Sequence, residues 1–291
     1  MGVRALAAYA HGVTTTGTEP EFARELRRWR NARRISQLEL AIRAGTTQRH
    51  VSYVEQGRSR PGRTMVLRLA ESLELSLRER NALLLAAGYA PVFAESPFDD
   101  EAVKPVRDAL EQILTGHMPY PAVVAGPGGQ LVAANAATDV LTAGAAPELL
   151  EPPVNVLRLA VHPEGMGPRV ENLADWGRHI IENVRAHQLR SPDPRREELL
   201  AEIEQYVPPP SPGPEHVGFA VPLRLRCDEG VLHLISTLTF FATALDVTLS
   251  ELHLEAYLPG DEATARILRQ RRHQAPHEST EAFPPALVVG T

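Results

Sequence analysis

The stretch Ser36 to Pro61, SQLELAIRAGTTQRHVSYVEQGRSRP, leaves the backbone few choices. Ser36 and Glu39 stand at capping-box spacing, where a hydroxyl and a carboxylate satisfy the first unpaired amides of a helix. That helix must stop at Gly45, because glycine enters the left-handed conformation that ends a helix at little cost. Thr47 is placed to cap a second helix, and Gly57 closes it. Two short helices joined by Ala44-Gly45-Thr46 predict a helix-turn-helix. Ala41 then has to be small for the helices to touch, while Val51 and Val54 pack the second helix down.

The flanks extend the same pattern. Thr18-Glu19-Pro20-Glu21 reads as another capping box, with Phe22, Leu26, Trp29 and Ala32 recurring behind it at helical spacing. Val66, Leu69 and Leu73 mark a fourth helix, and Ser76-Leu77-Arg78-Glu79 opens a fifth. Residues 19–90 are therefore expected to form an all-α domain of five helices.

Charge is divided as unevenly as structure. The 291-residue chain carries a net charge of -6, yet Glu19 to Pro91 holds 14 arginines against 8 glutamates, and the rest from Val92 holds 15 basic against 28 acidic residues. A basic module on an acidic body suits a polyanion. Gln48 and Arg49 lie at the exposed start of the third helix beside its cap, Thr47, and Ser52 and Tyr53 follow one turn on. Glutamine pairs bidentately with adenine and arginine with guanine, so these side chains are candidate base readers. Arg58, Arg60 and Arg63 in the next loop, with Gln37 at a helix start, suit phosphates, which orient without reading sequence. The expected partner is a double-stranded DNA operator.

The joint spacing of S-Q-x-E-L-A, the A-G turn, V-S-x-x-E-x-G-R and a trailing proline resembles the lambda-repressor-like, XRE family of helix-turn-helix regulators. The resemblance implies that Gln37 binds phosphate, that Gln48, Arg49 and Tyr53 face bases, and that Arg30 pairs with Glu55 to brace the third helix. A homodimer would set two such helices in successive major grooves on an inverted repeat. His50 reads as an ordinary solvent-facing histidine.

Beyond Tyr89 the pattern changes. Residues 91–102 are rich in proline and acid and read as a linker, followed by a helix from about Val103 to Leu114. YPAVVAGPGGQLVAANAATDVL is a hairpin with a Pro-Gly-Gly turn, and Asn135 is placed to cap a short helix after it. Val217, Phe219, Val221, Leu223 and Leu225 alternate in a strand, the turn CDEG leads to another from Val231 to Phe241, and Leu252, Leu254, Ala256 and Leu258 mark a last. The expectation is an α+β domain over residues 103–268 with a five-stranded antiparallel sheet, and its opening of strand, turn, strand, N-x-A and helix resembles that of PAS-type sensor domains. Residues 1–18 and 269–291 read as disordered.

Between hairpin and strands, Asn172 is placed to cap a helix whose Leu173, Trp176, Ile180, Val184 and His187 share one face. Helices over a curved sheet enclose an apolar space suited to a small ligand, with Trp176 and Ile180 as wall residues. NVLRLAVHPEGMGPRVENLADW and STLTFFATALDVTLSELHLEAYLPGDEATA make residues 97–268 resemble the MmyB-like ligand-binding domain that follows XRE modules. The resemblance implies a long-chain fatty acid as ligand. Each buried methylene is worth about 0.8 kcal/mol, so such a chain could supply on the order of 10 kcal/mol gross. A carboxylate head would need donors, for which Arg169, Asn172 and His179 are candidates. A protein-interaction or dimerisation module without a small ligand is the alternative.

Other chemistry finds no foothold. The chain has no G-x-S-x-G, Walker A or H-E-x-x-H, so no enzyme is expected, nor any metal or obligatory cofactor. Cys227 is the single cysteine, which fits a reducing, cytoplasmic compartment. No run of 18 apolar residues supports a membrane span, and the first residues do not form a signal peptide.

Overall fold

The computed structural model describes residues 20–209, 221–241 and 244–274. The chain divides into two compact units, one made of residues up to Leu75 with Glu79–Pro91, the other of Ser76–Arg78 with Val92 onward.

The first unit is helical: α1 (Glu21–Ala32), α2 (Gln37–Arg43), α3 (Gln48–Glu55), α4 (Arg63–Ser72) and α5 (Leu77–Ala86). Its capping oxygens act as their spacing requires. Ser36 Oγ accepts from the Glu39 amide at 3.0 Å and Thr47 Oγ1 from the His50 amide at 3.1 Å. At α1 the N-cap position is held by Pro20, which has no side-chain acceptor; Thr18, expected there, lies outside the described residues. Leu26, Leu40, Val51, Val66 and Leu84 are fully buried in one core. The Tyr89 hydroxyl donates to the Pro61 carbonyl at 3.1 Å and anchors the arginine-bearing loop after α3.

Two glycines make that geometry. Gly45 ends α2 at φ +63° with open space around the missing Cβ. Gly57 ends α3 at φ +69°, and there a Cβ would lie 2.7 Å from Cδ and Cγ of Pro20. Both need the left-handed conformation, but Gly57 also needs to lack a side chain.

The second unit begins with α6 (Lys104–Gly116) and the hairpin β1 (Ala122–Ala125) and β2 (Leu131–Ala134). Four helices follow: α7 (Asp139–Thr142), α8 (Val156–Val161), α9 (Leu173–Arg190) and α10 (Pro194–Ile203). Then come β3 (Leu223–Cys227), β4 (Gly230–Phe240), α11 (Val247–Ser250), β5 (His253–Pro259) and α12 (Glu262–Gln274). The strands form one antiparallel sheet in the order β2-β1-β5-β4-β3. This is the expected α+β architecture with a five-stranded antiparallel sheet. One face packs Ala122, Val124, Leu254 and Ala256 against Leu110 and Leu114 of α6. The other, inner face packs Leu223, Leu225, Leu232, Leu234 and Tyr257 against Trp176, Ile181, Val184, Leu199 and Ile203 of the helices.

Several expectations need correction. The segment read as a linker is largely built into the second unit: Phe98 is buried, Ala94 accepts from the Val247 amide at 2.8 Å, and the Ser96 amide donates to Asp246 at 3.0 Å. Proline and acid disguised a stretch with an apolar anchor. Asn135 stands at the N-cap position but does not cap; buried, it donates to the Leu114 and Tyr120 carbonyls and accepts from the Ala122 amide. The buried stripe of α9 is Trp176, Gly177, Ile181 and Val184, rotated from the expected one, and His187 is exposed. The region expected to be disordered from 269 is helical to Gln274, as the C-terminal part of α12, a helix started by Asp261, whose carboxylate accepts from the Thr264 amide at 2.7 Å. Val217 and Phe219 lie outside the described residues.

Gly57→Ala is expected to lower the stability of the helical unit by about 2 kcal/mol or more, since strain and the Pro20 contact combine. Gly45→Ala should cost only about 1 kcal/mol, and denaturant titration of the two variants measures the difference.

Candidate nucleic-acid interface and ligand-binding face

The start of α3 presents polar side chains outward. Thr47, Gln48 and Arg49 are exposed, and Ser52 and Tyr53 are half-exposed one turn on. Arg49 Nε donates to the Tyr53 hydroxyl at 3.1 Å, and its guanidinium lies 5.2 Å from the Tyr53 ring centroid. Ser52 accepts from the Gln56 amide at 3.0 Å. Arg58, Arg60 and Arg63 are all exposed in and beside the loop after α3. His50 does not face solvent freely: it is half-buried, and its Nε2 is enclosed without a partner.

Behind this surface lies a buried carboxylate. Glu55, 2% exposed, accepts from Arg30 Nε at 2.6 Å, from Arg30 Nη2 at 3.0 Å and from Gln37 Nε2 at 2.7 Å. Arg30 also donates to the Ile35 carbonyl at 2.9 Å. One acid thus ties α1, α2 and α3 together, with the bidentate geometry that makes arginine the strong partner. Gln37, expected on phosphate, spends one amide N–H here and keeps the other.

In the second unit the expected head-group donors are not gathered at one place. Arg169 donates to the carbonyls of Val140 and Leu141, satisfying the open end of α7, and burial lowers its pKa. Asn172 caps nothing: it donates to the Pro222 carbonyl at 2.8 Å and accepts from the Arg224 amide at 3.0 Å, extending the edge of the sheet. His179 is exposed and contacts Asn183 at 3.2 Å. Trp176 is buried in the core, and Ile180 packs at its margin. None of these polar groups forms an anion pocket with the others; arginine, asparagine and histidine were chosen by type, and their packing sends them elsewhere.

A different group of residues meets on the inner face. The register sets Ser236, Leu238 and Phe240 of β4 opposite Tyr257, Glu255 and His253 of β5. Glu255 is half-buried, with Tyr257 two residues on along β5 and Ser236 diagonally across on β4. Burial pushes the Glu255 carboxyl up, and burial together with the neighbouring carboxylate raises the Tyr257 phenol. Burial, then the charge of His187, lowers His253. The rings of Phe240 and His253 lie 5.9 Å apart. Sequence reading passed over this group because alternation singled out only the apolar Leu252, Leu254, Ala256 and Leu258 of the last strand, whereas the opposite side of β5 carries Glu255 and His253 half-buried.

The comparisons with known proteins fall on the same division. Residues 21–83 match a helix-turn-helix domain, and residues 106–270, more than half of the chain, match the MmyB-like transcription regulator ligand binding domain. Among solved structures, a restriction-modification controller protein from Aeromonas hydrophila is 33% identical over 21% of this chain and 88% of its own, with a TM-score of 0.20. An RNA-binding light-oxygen-voltage receptor is 16% identical over 87% of this chain and 62% of its own, with a TM-score of 0.24. No curated protein matches the chain. Among the described residues no helix is long and apolar enough to cross a membrane.

Glu55→Ala should destabilise the helical unit by about 3–5 kcal/mol, because Arg30 is left buried without its counter-charge, and Gln37→Ala by only about 1 kcal/mol; urea titrations check the ratio. For Glu255 the folded pKa lies above the unfolded one, so the folded state binds the extra proton between the two values. Its contribution to stability is therefore expected to fall as pH rises through that window. Subtracting the pH–stability curve of Glu255→Gln from that of the parent isolates this slope; a flat difference would contradict it.

Proposed function

This chain belongs to the MmyB-like transcription regulators, and we propose that it binds a specific DNA operator through α3 and senses a small apolar ligand through its second unit. The observation that carries the DNA reading is the exposed Gln48 and Arg49 at the capped start of a helix pinned by Glu55. In this reading Gln48 and Arg49 contact base edges, with Ser52 and Tyr53 reaching the same groove. Thr47, Gln37, Arg58, Arg60 and Arg63 hold phosphates and set the register. A homodimer on an inverted repeat doubles the contact, with half-sites about 34 Å apart. The work is done in the cytoplasm and involves no catalysis.

The ligand acts by binding the DNA-competent and incompetent arrangements unequally. An acyl chain remains the natural apolar probe, although Arg169, Asn172 and His179 no longer support a carboxylate head. The half-exposed apolar side chains on the inner face favour such an occupant.

A footprint on operator DNA should fade to the level of random DNA in the double variant Gln48→Ala/Arg49→Ala. The parent's affinity should fall steeply as salt rises. Undiminished sequence-selective protection by the double variant would refute the base-reading assignment.

A further inference from the structure

We propose that Tyr53 is a positioning residue for Arg49, holding its guanidinium so that the two terminal nitrogens read one guanine of the operator. The proposal rests on the reading that α3 enters the major groove, and it names the base that Arg49 selects and the residue that prepares the selection.

Several arginines of the helical unit are held in ion pairs: Arg28, Arg30 and Arg43 bind Glu25, Glu55 and Glu39. Arg49 is held by an uncharged side chain instead. Its Nε donates to the Tyr53 hydroxyl at 3.1 Å, and its guanidinium carbon lies 5.2 Å from the centre of the Tyr53 ring. The first turn of α3 contains no acidic residue. Four residues apart on one helix face, the two side chains meet as neighbours, and the ring attracts the cation without neutralising it. Arg49 thus keeps its whole charge for a polyanion.

The atom that is held decides the chemistry. A guanidinium carries five N–H groups, one on Nε and two on each Nη. Tyr53 occupies the Nε edge, which closes the side-on approach, and among the described residues Nη1 and Nη2 are left free. Together they form a fork of donors that matches the two acceptors of guanine in the major groove, O6 and N7. Adenine sets an amino donor beside its N7, cytosine shows a donor, and thymine shows one acceptor beside a methyl group, so none of them satisfies both prongs. Holding the long side chain before DNA arrives also removes part of the ordering cost of binding. Tyr53 shares the groove without needing a base of its own.

The experiment uses the purified full chain and a library of random duplex DNA, from which bound sequences are selected and counted for the parent and its variants. The parent is expected to enrich a motif with a guanine that depends on Arg49, and 7-deazaguanine placed there, which lacks N7, should weaken binding about fivefold. Arg49→Ala and Arg49→Lys should both lose the guanine preference at that position and keep the preferences elsewhere, since lysine restores the charge without the fork. Tyr53→Phe, which keeps the ring and loses the hydroxyl, should lower the preference about threefold, and Tyr53→Leu should lower it further. Neither Tyr53 change should alter that position once Arg49 is alanine. A merely structural loss would weaken every position alike, so an even loss in the Tyr53 variants, or a guanine preference untouched in Tyr53→Leu, overturns the positioning role. A base other than guanine at the position that Arg49→Ala alters overturns the assignment of the base while leaving α3 as the reading helix. A parent that enriches no sequence, or a motif unchanged in Gln48→Ala/Arg49→Ala, overturns base reading by α3 and this proposal with it.

Discussion

The DNA-facing unit depends on one carboxylate. Glu55 is nearly inaccessible to water and would be costly there alone, but three hydrogen bonds from Arg30 and Gln37 compensate it. Those donors sit on α1 and α2, so the orientation of α3 is set by an ion pair whose geometry tolerates little displacement. The apolar contacts of Val51 and Val54 hold α3 against the core without specifying its rotation. The buried acid does specify it, because a bidentate arginine has one good approach to a carboxylate.

The second unit handles its buried polar groups in the opposite way. Asn135, Asn172 and Arg169 each satisfy backbone atoms that the fold would otherwise strand, at a helix end, a sheet edge and the end of α7. They are joints. Glu255 serves no such backbone group among its known partners; it sits among side chains on the inner face, beside apolar residues the helices leave half-covered.

How much of this could be read in advance followed the range of the forces involved. Capping by Ser36 and Thr47 and helix termination by Gly45 and Gly57 are decided within a few residues, so the helical unit was legible almost to its boundaries. The first two strands were legible from a β-branched run and the Pro-Gly-Gly turn and the last three from alternation, yet alternation cannot say whether a second layer covers the polar side, and so Glu255 and His253 were passed over. Asn172 and Asn135 carry a capping signal at the right position, and tertiary partners outbid it. Phe98 was hidden among prolines and acids, where one aromatic residue decides whether a segment packs.

Residues 94–96 are stitched into the second unit. Ala94 and Ser96 are bonded to Val247 and Asp246, in the connection that joins β4 to β5. Those two strands set Leu238 and Phe240 opposite Glu255 and His253 on the inner face. The chain passes into the second unit for good at Pro91 and Val92. A truncation that begins after Ser96 would strip both partners from the β4–β5 connection, so the second unit, taken alone, has to start at or before Val92.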